Sequence, residues 1–283
     1  MGEKILRRIM ITIAYDGTDY VGWQMQPNGV AVEQVINKAL SELLKEDIII
    51  AGASRTDSGV HADGNVAIFD TETRIPADKI CFALNQRLPK DIVCTSSCEV
   101  NPDFHPRHAD CVKTYEYRIY NAVHPDPLKR RYSYFVYVPL DIDAMRKAAE
   151  YLKGEHDFAS FCSAHAQVKT TIRNVYSLDI YSSDIAYVGV DEGNQRLPLD
   201  ITIRISGNGF LYNMVRIIVG TLVKVGYHFY PPEYVKTILE AKDRTKAGPK
   251  APAEGLKLVG IKYREEDLVP KSIIKNEEVS NED

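Results

Sequence analysis

Residues 51–70 read Ala51-Gly52-Ala53-Ser54-Arg55-Thr56-Asp57-Ser58-Gly59-Val60-His61-Ala62-Asp63-Gly64-Asn65-Val66-Ala67-Ile68-Phe69-Asp70. Two apolar arms, Asp47–Ala53 and Gly64–Asp70, have strand character, and the loop Ser54–Ala62 between them gathers Arg, Asp and His around one glycine. Working outward, Ile9–Tyr15 is a β-branched run closed by the turn Asp16-Gly17-Thr18. Residues 31–45 place Val32, Val35, Ile36, Ala39, Leu40, Leu43 and Leu44 on one helical stripe. Pro76 fits the first position of a helix through Leu88, and Asp91–Val100 follows as a strand.

Pro102 and Pro106 mark a crossover into a second half. There the pattern predicts strands over Asp110–Asn121, Tyr132–Val138, 172–182 and 198–206, and a helix over Ile142–Lys153 ended by Gly154. A strongly apolar helix from Gly209 to Val225, a last helix opened by Pro231-Pro232 and a closing strand Leu256–Tyr263 complete the chain. Strand-rich halves with a few long helices predict an α+β fold with largely antiparallel sheets. The expected division is an N-terminal α+β domain over 1–108 carrying the loop, a C-terminal α+β domain over 109–263, and an acidic tail over 264–283, its last part frayed.

Length and composition bound the function. At 283 residues, 45% hydrophobic and 26% charged, the chain is of ordinary globular make-up, which excludes collagen, coiled coil and wholesale disorder. No apolar run approaches the roughly 20 residues of a membrane helix, and the N-terminus shows no signal-peptide pattern. Five cysteines without a CxxC pair point to a reducing cytoplasm and away from disulfides or zinc. The net charge of −4 sits in the tail: residues 264–283 hold 3 basic and 7 acidic residues. By contrast, 104–131 has 6 Lys and Arg against 3 acids and 242–250 has 4 against 1, so a neutral body with basic stretches is compatible with a phosphate-rich ligand.

Three segments have polar groups in places where structure alone does not demand them. The Ser54–Ala62 loop reads either as surface turn chemistry, with Asp57 as a cap and Gly59 as the hinge, or as a reactive loop. Arg216 stands among Met214-Val215 and Ile217-Ile218-Val219, so it either snorkels to solvent or is buried against a carboxylate, since an unpaired buried charge costs roughly several kcal/mol. In Lys113-Thr114-Tyr115-Glu116-Tyr117-Arg118, strand alternation puts both tyrosines on one face, for packing or for stacking on bases.

These segments fall in a familiar order. Tyr15-Asp16-Gly17-Thr18 with Gly22-Trp23-Gln24-Met25-Gln26, Arg55–Ala62, Phe104-His105-Pro106-Arg107, Tyr115-Glu116-Tyr117-Arg118 and Gly209–Arg216 together make the chain closely resemble the TruA-type tRNA pseudouridine synthases over about residues 8–263. His156-Asp157-Phe158, Thr171-Ile172-Arg173 and Ala251–Leu256 are weaker matches in the right places. The resemblance implies the pseudouridine synthase fold, two similar halves with largely antiparallel or mixed sheets flanked by helices and an active-site cleft between them, and isomerisation of uridine to pseudouridine in the anticodon arm of tRNA, at roughly positions 38 to 40. It implies no cofactor and no metal, a homodimer, and no membrane partner.

By the same resemblance, Asp57 is the catalytic aspartate, acting either as nucleophile on sugar or base or as counter-charge to a cationic sugar. Arg216 is expected to pair with Asp57 across the two halves, and Tyr115 to stack on the uracil and relay its C5 proton. Arg55 is expected to take the place of the extruded uridine or hold its phosphate, with His61, His105, Arg107, Lys113 and Arg118 as further RNA contacts. Lys129-Arg130-Arg131 and Lys242–Lys250 are expected beside them. Trp23 reads as a packing anchor, with Asp16 and Gln24 lining the site. Ser54 departs from the family's usual glycine, which predicts a slightly altered start to the loop. The alternatives are a synthase for another RNA or tRNA position, a non-catalytic tRNA-binding protein, and a glycosidase-like hydrolase using Asp63 as a second carboxylate.

Overall fold

Ile9, Ile11, Ile13 and Tyr15 are buried and their neighbours only partly so, the alternation of a strand with one face on a core. They form β1 (Arg7–Tyr15). The computed structural model describes residues 6–163, 168–184 and 197–269. The chain divides into two compact units, residues 1–111 with 258–283, and residues 112–257.

In the first unit β1 is followed by α1 (Val32–Leu44), β2 (Ala51–Gly52), β3 (His61–Thr71), α2 (Ile80–Asn85) and β4 (Ile92–Val100). β1 is central, antiparallel to β3 on one side and β4 on the other, with Ile11 opposite Ala67 and Ser97. The β1–β3 register slips between Ile13, opposite Asn65, and Tyr15, opposite Ala62. This bulge lies where β3 emerges from the Ser54–Val60 loop, so it re-aims the chain at the point where the loop meets the sheet. α1 buries Val32, Ile36, Ala39 and Leu40, the stripe its spacing predicts.

Three boundaries differ from expectation, the first for an identifiable reason. Residues 47–50 are not a strand, because their amides are taken by α1: Ile48 N–H donates to Ser41 Oγ (3.0 Å) and Ile50 N–H to Asn37 Oδ1 (2.9 Å). Only Ala51–Gly52 pairs with β3. In turn β3 begins at His61, so the C-terminal end of the expected loop is already ladder. The helix expected from Pro76 is shorter, a 3-10 turn Ala77–Lys79 leading into α2.

The second unit holds β5 (Cys111–Asn121), β6 (Tyr134–Val136), α3 (Ile142–Glu150), β7 (Gly154–Asp157), β8 (Ile172–Asp184), β9 (Leu199–Gly207), α4 (Met214–Gly226) and α5 (Tyr234–Ala241). Its strands run β5-β9-β8-β7, antiparallel throughout, with β6 short and parallel beside β5. Asp141 caps α3, accepting from Ala144 N–H at 2.9 Å. Every residue of α4 except Lys224 is buried, including Arg216.

β10 (Leu256–Tyr263) and α6 (Glu265–Leu268) follow. From Leu258 onward the chain belongs with the first unit, beside β3, whereas the sequence placed this strand in the second half. Tyr263 joins Ala53, Val66, Ile68, Val100 and Phe104 in that unit's core and meets Phe104 edge-on at 5.0 Å. Leu268 packs on the same cluster and its carbonyl accepts from Asn101 N–H (3.0 Å), so the first residues of the expected tail are anchored. The rest of the tail, from residue 270, lies outside the described residues. The α+β class holds, and the strand pairs β1–β3, β1–β4, β2–β3, β5–β9, β8–β9 and β7–β8 are antiparallel while β5–β6 is parallel. Among the described residues no helix is long and apolar enough to cross a membrane.

Trp23 is fully buried and lies against Gly52, where an added Cβ would stand 2.3 Å from its indole Nε1. Neither the ring nor the β2 backbone has room to retreat, and overpacking of this kind costs about 1–3 kcal/mol. Gly52→Ala is therefore expected to lower Tm by several degrees in a thermal melt, with far-ultraviolet circular dichroism unchanged at low temperature.

Candidate active site: a braced carboxylate loop and a buried arginine

In the first unit the polar loop is held at nearly every peptide. Trp23 N–H donates to Thr56 O (3.1 Å), and Val60 N–H donates to Asp57 O (3.1 Å). Tyr20 O accepts from both Gly59 N–H (3.3 Å) and Ser58 Oγ (3.2 Å). The Tyr15 and Thr56 hydroxyls are bonded at 2.7 Å, and Asn65 Nδ2, in a fully buried side chain, donates to Ser54 O at 2.9 Å. Two glycines permit this approach: Gly22, at φ +102°, has Thr56 O 2.6 Å from where a Cβ would be, and Gly17 has Val60 O at 2.0 Å. The Asp16–Trp23 segment is thus a clamp on the loop backbone. The half-buried Asp57 side chain projects from the middle of the clamped stretch.

The other residues expected here separate into two groups. Arg55 is exposed and lies near enough to Arg107 for its charge to lower that guanidinium's pKa, an effect second to burial. Arg107 Nε donates to Gly52 O at 2.7 Å. His105 stacks on His108 with centroids 4.2 Å apart, and burial, then His108, Arg107 and Arg8, push its pKa down. Arg55 and Arg107 are therefore a close pair of guanidinium groups, an arrangement that an anion relieves, with the His105 ring near Arg107. His61 is different: it is 6% exposed, with its Nδ1 3.1 Å from both Gly17 N and Asp16 Oδ1, and faces the clamp.

Trp23 is the packing anchor expected of it, Gln24 is exposed and Asp16 is partly buried. Ser54 is not among the described non-glycine residues with positive φ, so the loop needs no glycine at its start. Asp63 is exposed on β3, six positions along the chain from Asp57 and outside the clamped stretch.

In the second unit, Tyr115 sits on β5 opposite Ile205, 7% exposed, with Phe210 edge-on at 5.3 Å. Tyr117, on the same face, is fully buried, and its hydroxyl donates to Pro252 O at 2.8 Å. Burial raises its pKa, with the Glu254 charge adding. Tyr117 is thus a packing residue and Tyr115 the one with an aromatic partner at the strand's end. Lys113 is partly buried and Arg118 exposed on the same strand, the latter donating its N–H to Gly255 O (2.8 Å).

Arg216 does not snorkel, being 8% exposed. Its Nε donates to Ala251 O (2.8 Å) and its Nη1 to Asn213 Oδ1 (3.2 Å), while Ala251 N–H returns a bond to Arg216 O (3.1 Å). The segment Gly248–Ala251 lies directly on α4: a Cβ on Gly220 would be 1.8 Å from Pro249 O, and Gly248 N–H donates to Thr221 Oγ1 (2.9 Å). Asn213 caps α4 in the left-handed region, φ 61°, with Nδ2 donating to Ser163 Oγ at 2.9 Å. The helix therefore starts at Met214, five residues after Gly209, because this residue turns the chain.

Two basic stretches have internal uses. Lys129 is bonded to Asp200 at 2.6 Å and lies 4.7 Å over the Tyr120 ring. Lys242 pairs with Asp157 (3.0 Å), and Arg244 donates to the carbonyls of Ala247 and Gly248. Lys246 and Lys250 are exposed. Residues that the sequence did not single out are Tyr20, Asn65 and Ser163. A buried Asn within a strand was the available signal for Asn65; nothing marked Tyr20 or Ser163.

The first unit thus holds a carboxylate on a loop whose backbone is fixed by hydrogen bonds, with Arg55 and Arg107 close together, and the second unit holds a strand tyrosine with an aromatic neighbour. A family model described as tRNA pseudouridine synthase matches residues 11–108 and 148–264. The chain is 48% identical over 258 residues to tRNA pseudouridine synthase A of Ruminiclostridium cellulolyticum, covering 91% of this chain and 100% of that one. It is 46% identical to the protein of that name in Thermoanaerobacter pseudethanolicus and 45% identical to tRNA pseudouridine synthase A 2 of Clostridium perfringens, with the same coverage. The chain belongs to the tRNA pseudouridine synthase family, whose members are isomerases.

The left-handed Asn213 gives a test of how Arg216 is held. Asn213→Ala loses both side-chain bonds and keeps the backbone strain, whereas Asn213→Gly loses the bonds but relieves the strain, a difference of about 1 kcal/mol. Both variants are expected to melt below the native protein, the alanine variant lowest.

Proposed function

We propose that this chain isomerises uridine to pseudouridine in the anticodon arm of tRNA, at roughly positions 38 to 40, with Asp57, Tyr115 and Arg216 carrying the reaction. The observation that supports this most directly is the bracing of the Asp57 peptide by Trp23, Tyr20 and Val60. A carboxylate that must meet one sugar or base atom gains by being fixed beforehand, since a misplacement of ~1 Å costs on the order of a hundredfold in rate. Asp57 then acts while ionised, by attack on the glycosidic carbon or base, or as counter-charge to the sugar cation. No net oxidation occurs: the N1–C1′ bond breaks, the C5–C1′ bond forms, and the C5 proton leaves as N1 gains one.

Tyr115 offers an aromatic face to the uracil while it turns, and aromatic stacking of a base is worth ~1–3 kcal/mol without fixing its edge. Arg55, His105 and Arg107 take the phosphates around the extruded nucleotide, with Lys113 and Arg118 as further contacts. The proximity of the Arg55 and Arg107 guanidinium groups supports a site that favours a bound anion. The reading includes a cytoplasmic homodimer, as the resemblance implies.

Unmodified tRNA transcript incubated with the protein should yield new carbodiimide-dependent primer-extension stops in the anticodon arm. Stops elsewhere would move the target, and none at all would remove the tRNA assignment. Asp57→Asn should abolish these stops while tRNA binding stays within a few-fold; turnover by that variant would show that Asp57 is not the reactive group. Light scattering should give about 64 kDa, twice the 31.9 kDa of one chain, and a mass near that of one chain would exclude the dimer.

A further inference from the structure

Where the Asp57 loop enters β3, the buried imidazole of His61 has no part in the chemistry described above. Gly17 N–H donates to its Nδ1 at 3.1 Å. That bond requires a lone pair on Nδ1, so in the neutral ring the proton resides on Nε2. Asp16 Oδ1, the other neighbour of this nitrogen at 3.1 Å, accepts from Thr18 N–H (3.0 Å) and Thr18 Oγ1 (2.6 Å). Both the Gly17 amide and the Asp16 carboxylate thus bring the turn onto the His61 ring at the start of β3.

What the Gly17–His61 bond closes is a ring around Asp57. Gly17 O accepts from Tyr20 N–H (3.1 Å), Tyr20 O accepts from Gly59 N–H and Ser58 Oγ, and Val60 N–H closes back on Asp57 O. Gly17 itself lies against the Val60 carbonyl, so the turn can shift only together with the Val60–His61 peptide. We propose that His61 is a positioning residue for Asp57: its Nδ1, as an acceptor, latches the Asp16–Tyr20 turn to the start of β3 and so fixes the Ser58–Gly59 bend on which the Asp57 carboxylate is carried. The inference rests on the reading of Asp57 as the reactive group. It gives His61 a different task from direct contact with RNA.

An acceptor role and a packing role predict opposite orders in one pair of variants. His61→Asn keeps an acceptor oxygen at the place of Nδ1 but leaves a small void, whereas His61→Leu fills the volume and removes the acceptor. The expected result is that His61→Asn retains kcat on tRNA transcript within about fivefold, while His61→Leu loses roughly thirty- to a hundredfold, the size of a ~1 Å misplacement. In both, tRNA Kd should stay within about threefold by filter binding, because the pair of Arg55 and Arg107 is untouched. Equal activity in the two variants, or the reverse order, overturns the proposal, as does a loss confined to Kd, which would return His61 to RNA contact.

Should His61→Leu fail to fold, His61→Gln decides: its amide reaches the place of Nε2 and not that of Nδ1, so native activity in it overturns the latch and a kcat loss with native Kd supports it. Asp57→Asn is assayed alongside. Turnover by that variant would remove the Asp57 reading, whereas an inactive Asp57→Asn combined with the wrong Asn–Leu order overturns the latch alone.

Discussion

The hydrogen bonds that Trp23 and Tyr20 make with the Thr56–Gly59 backbone, and Gly17 with the His61 ring, are the constraint on which the first unit's site depends. A loop of Ser, Thr, Asp and Gly has many conformations in water, and fixing one residue's backbone costs roughly 1–2 kcal/mol. Here the cost is met by the neighbouring turn, which offers its own amides and carbonyls to those of the loop. The sheet supplies the frame: β1 delivers Tyr15 and the turn, β3 receives His61, and the bulge between them sets the angle at which the loop departs. Glycines at 17 and 22 are required because backbone meets backbone, leaving no space for a Cβ.

The second unit solves a different problem, a cation inside an apolar helix. Burying a guanidinium is tolerable only when its N–H groups are bonded. Ala251 O and Asn213 Oδ1 each take one of them, and both partners are fixed in turn, Ala251 by its return bond to α4 and Asn213 by Ser163. The left-handed backbone at Asn213 is local strain at the start of α4, and the side chain of the same residue bonds both Arg216 and Ser163. Arg216 is thereby held at two of its nitrogens, Nε and Nη1.

Charge illustrates how far composition misleads. The net −4 comes from the chain's C-terminal end, and the basic stretches flagged in sequence are partly spent internally, Lys129 on Asp200 and Lys242 on Asp157. Two cations that do come close together in the first unit are Arg55 and Arg107, from two loops far apart in sequence. No count over a contiguous window finds that pair.

The sequence by itself determined the alternation of buried residues in β1, the stripe of α1, the apolar helix around Arg216 and the ordered motifs that identify the family, because each is a periodic or local property of side chains. The tertiary structure alone decided that residues 47–50 give their amides to Ser41 and Asn37 and so form no strand. It alone placed β10 with the first unit, turned the chain at Asn213, and set His61 against Gly17. These outcomes depend on which distant donor reaches a given backbone group first, and a hydrogen bond between residues 44 positions apart leaves no periodicity for a sequence to display.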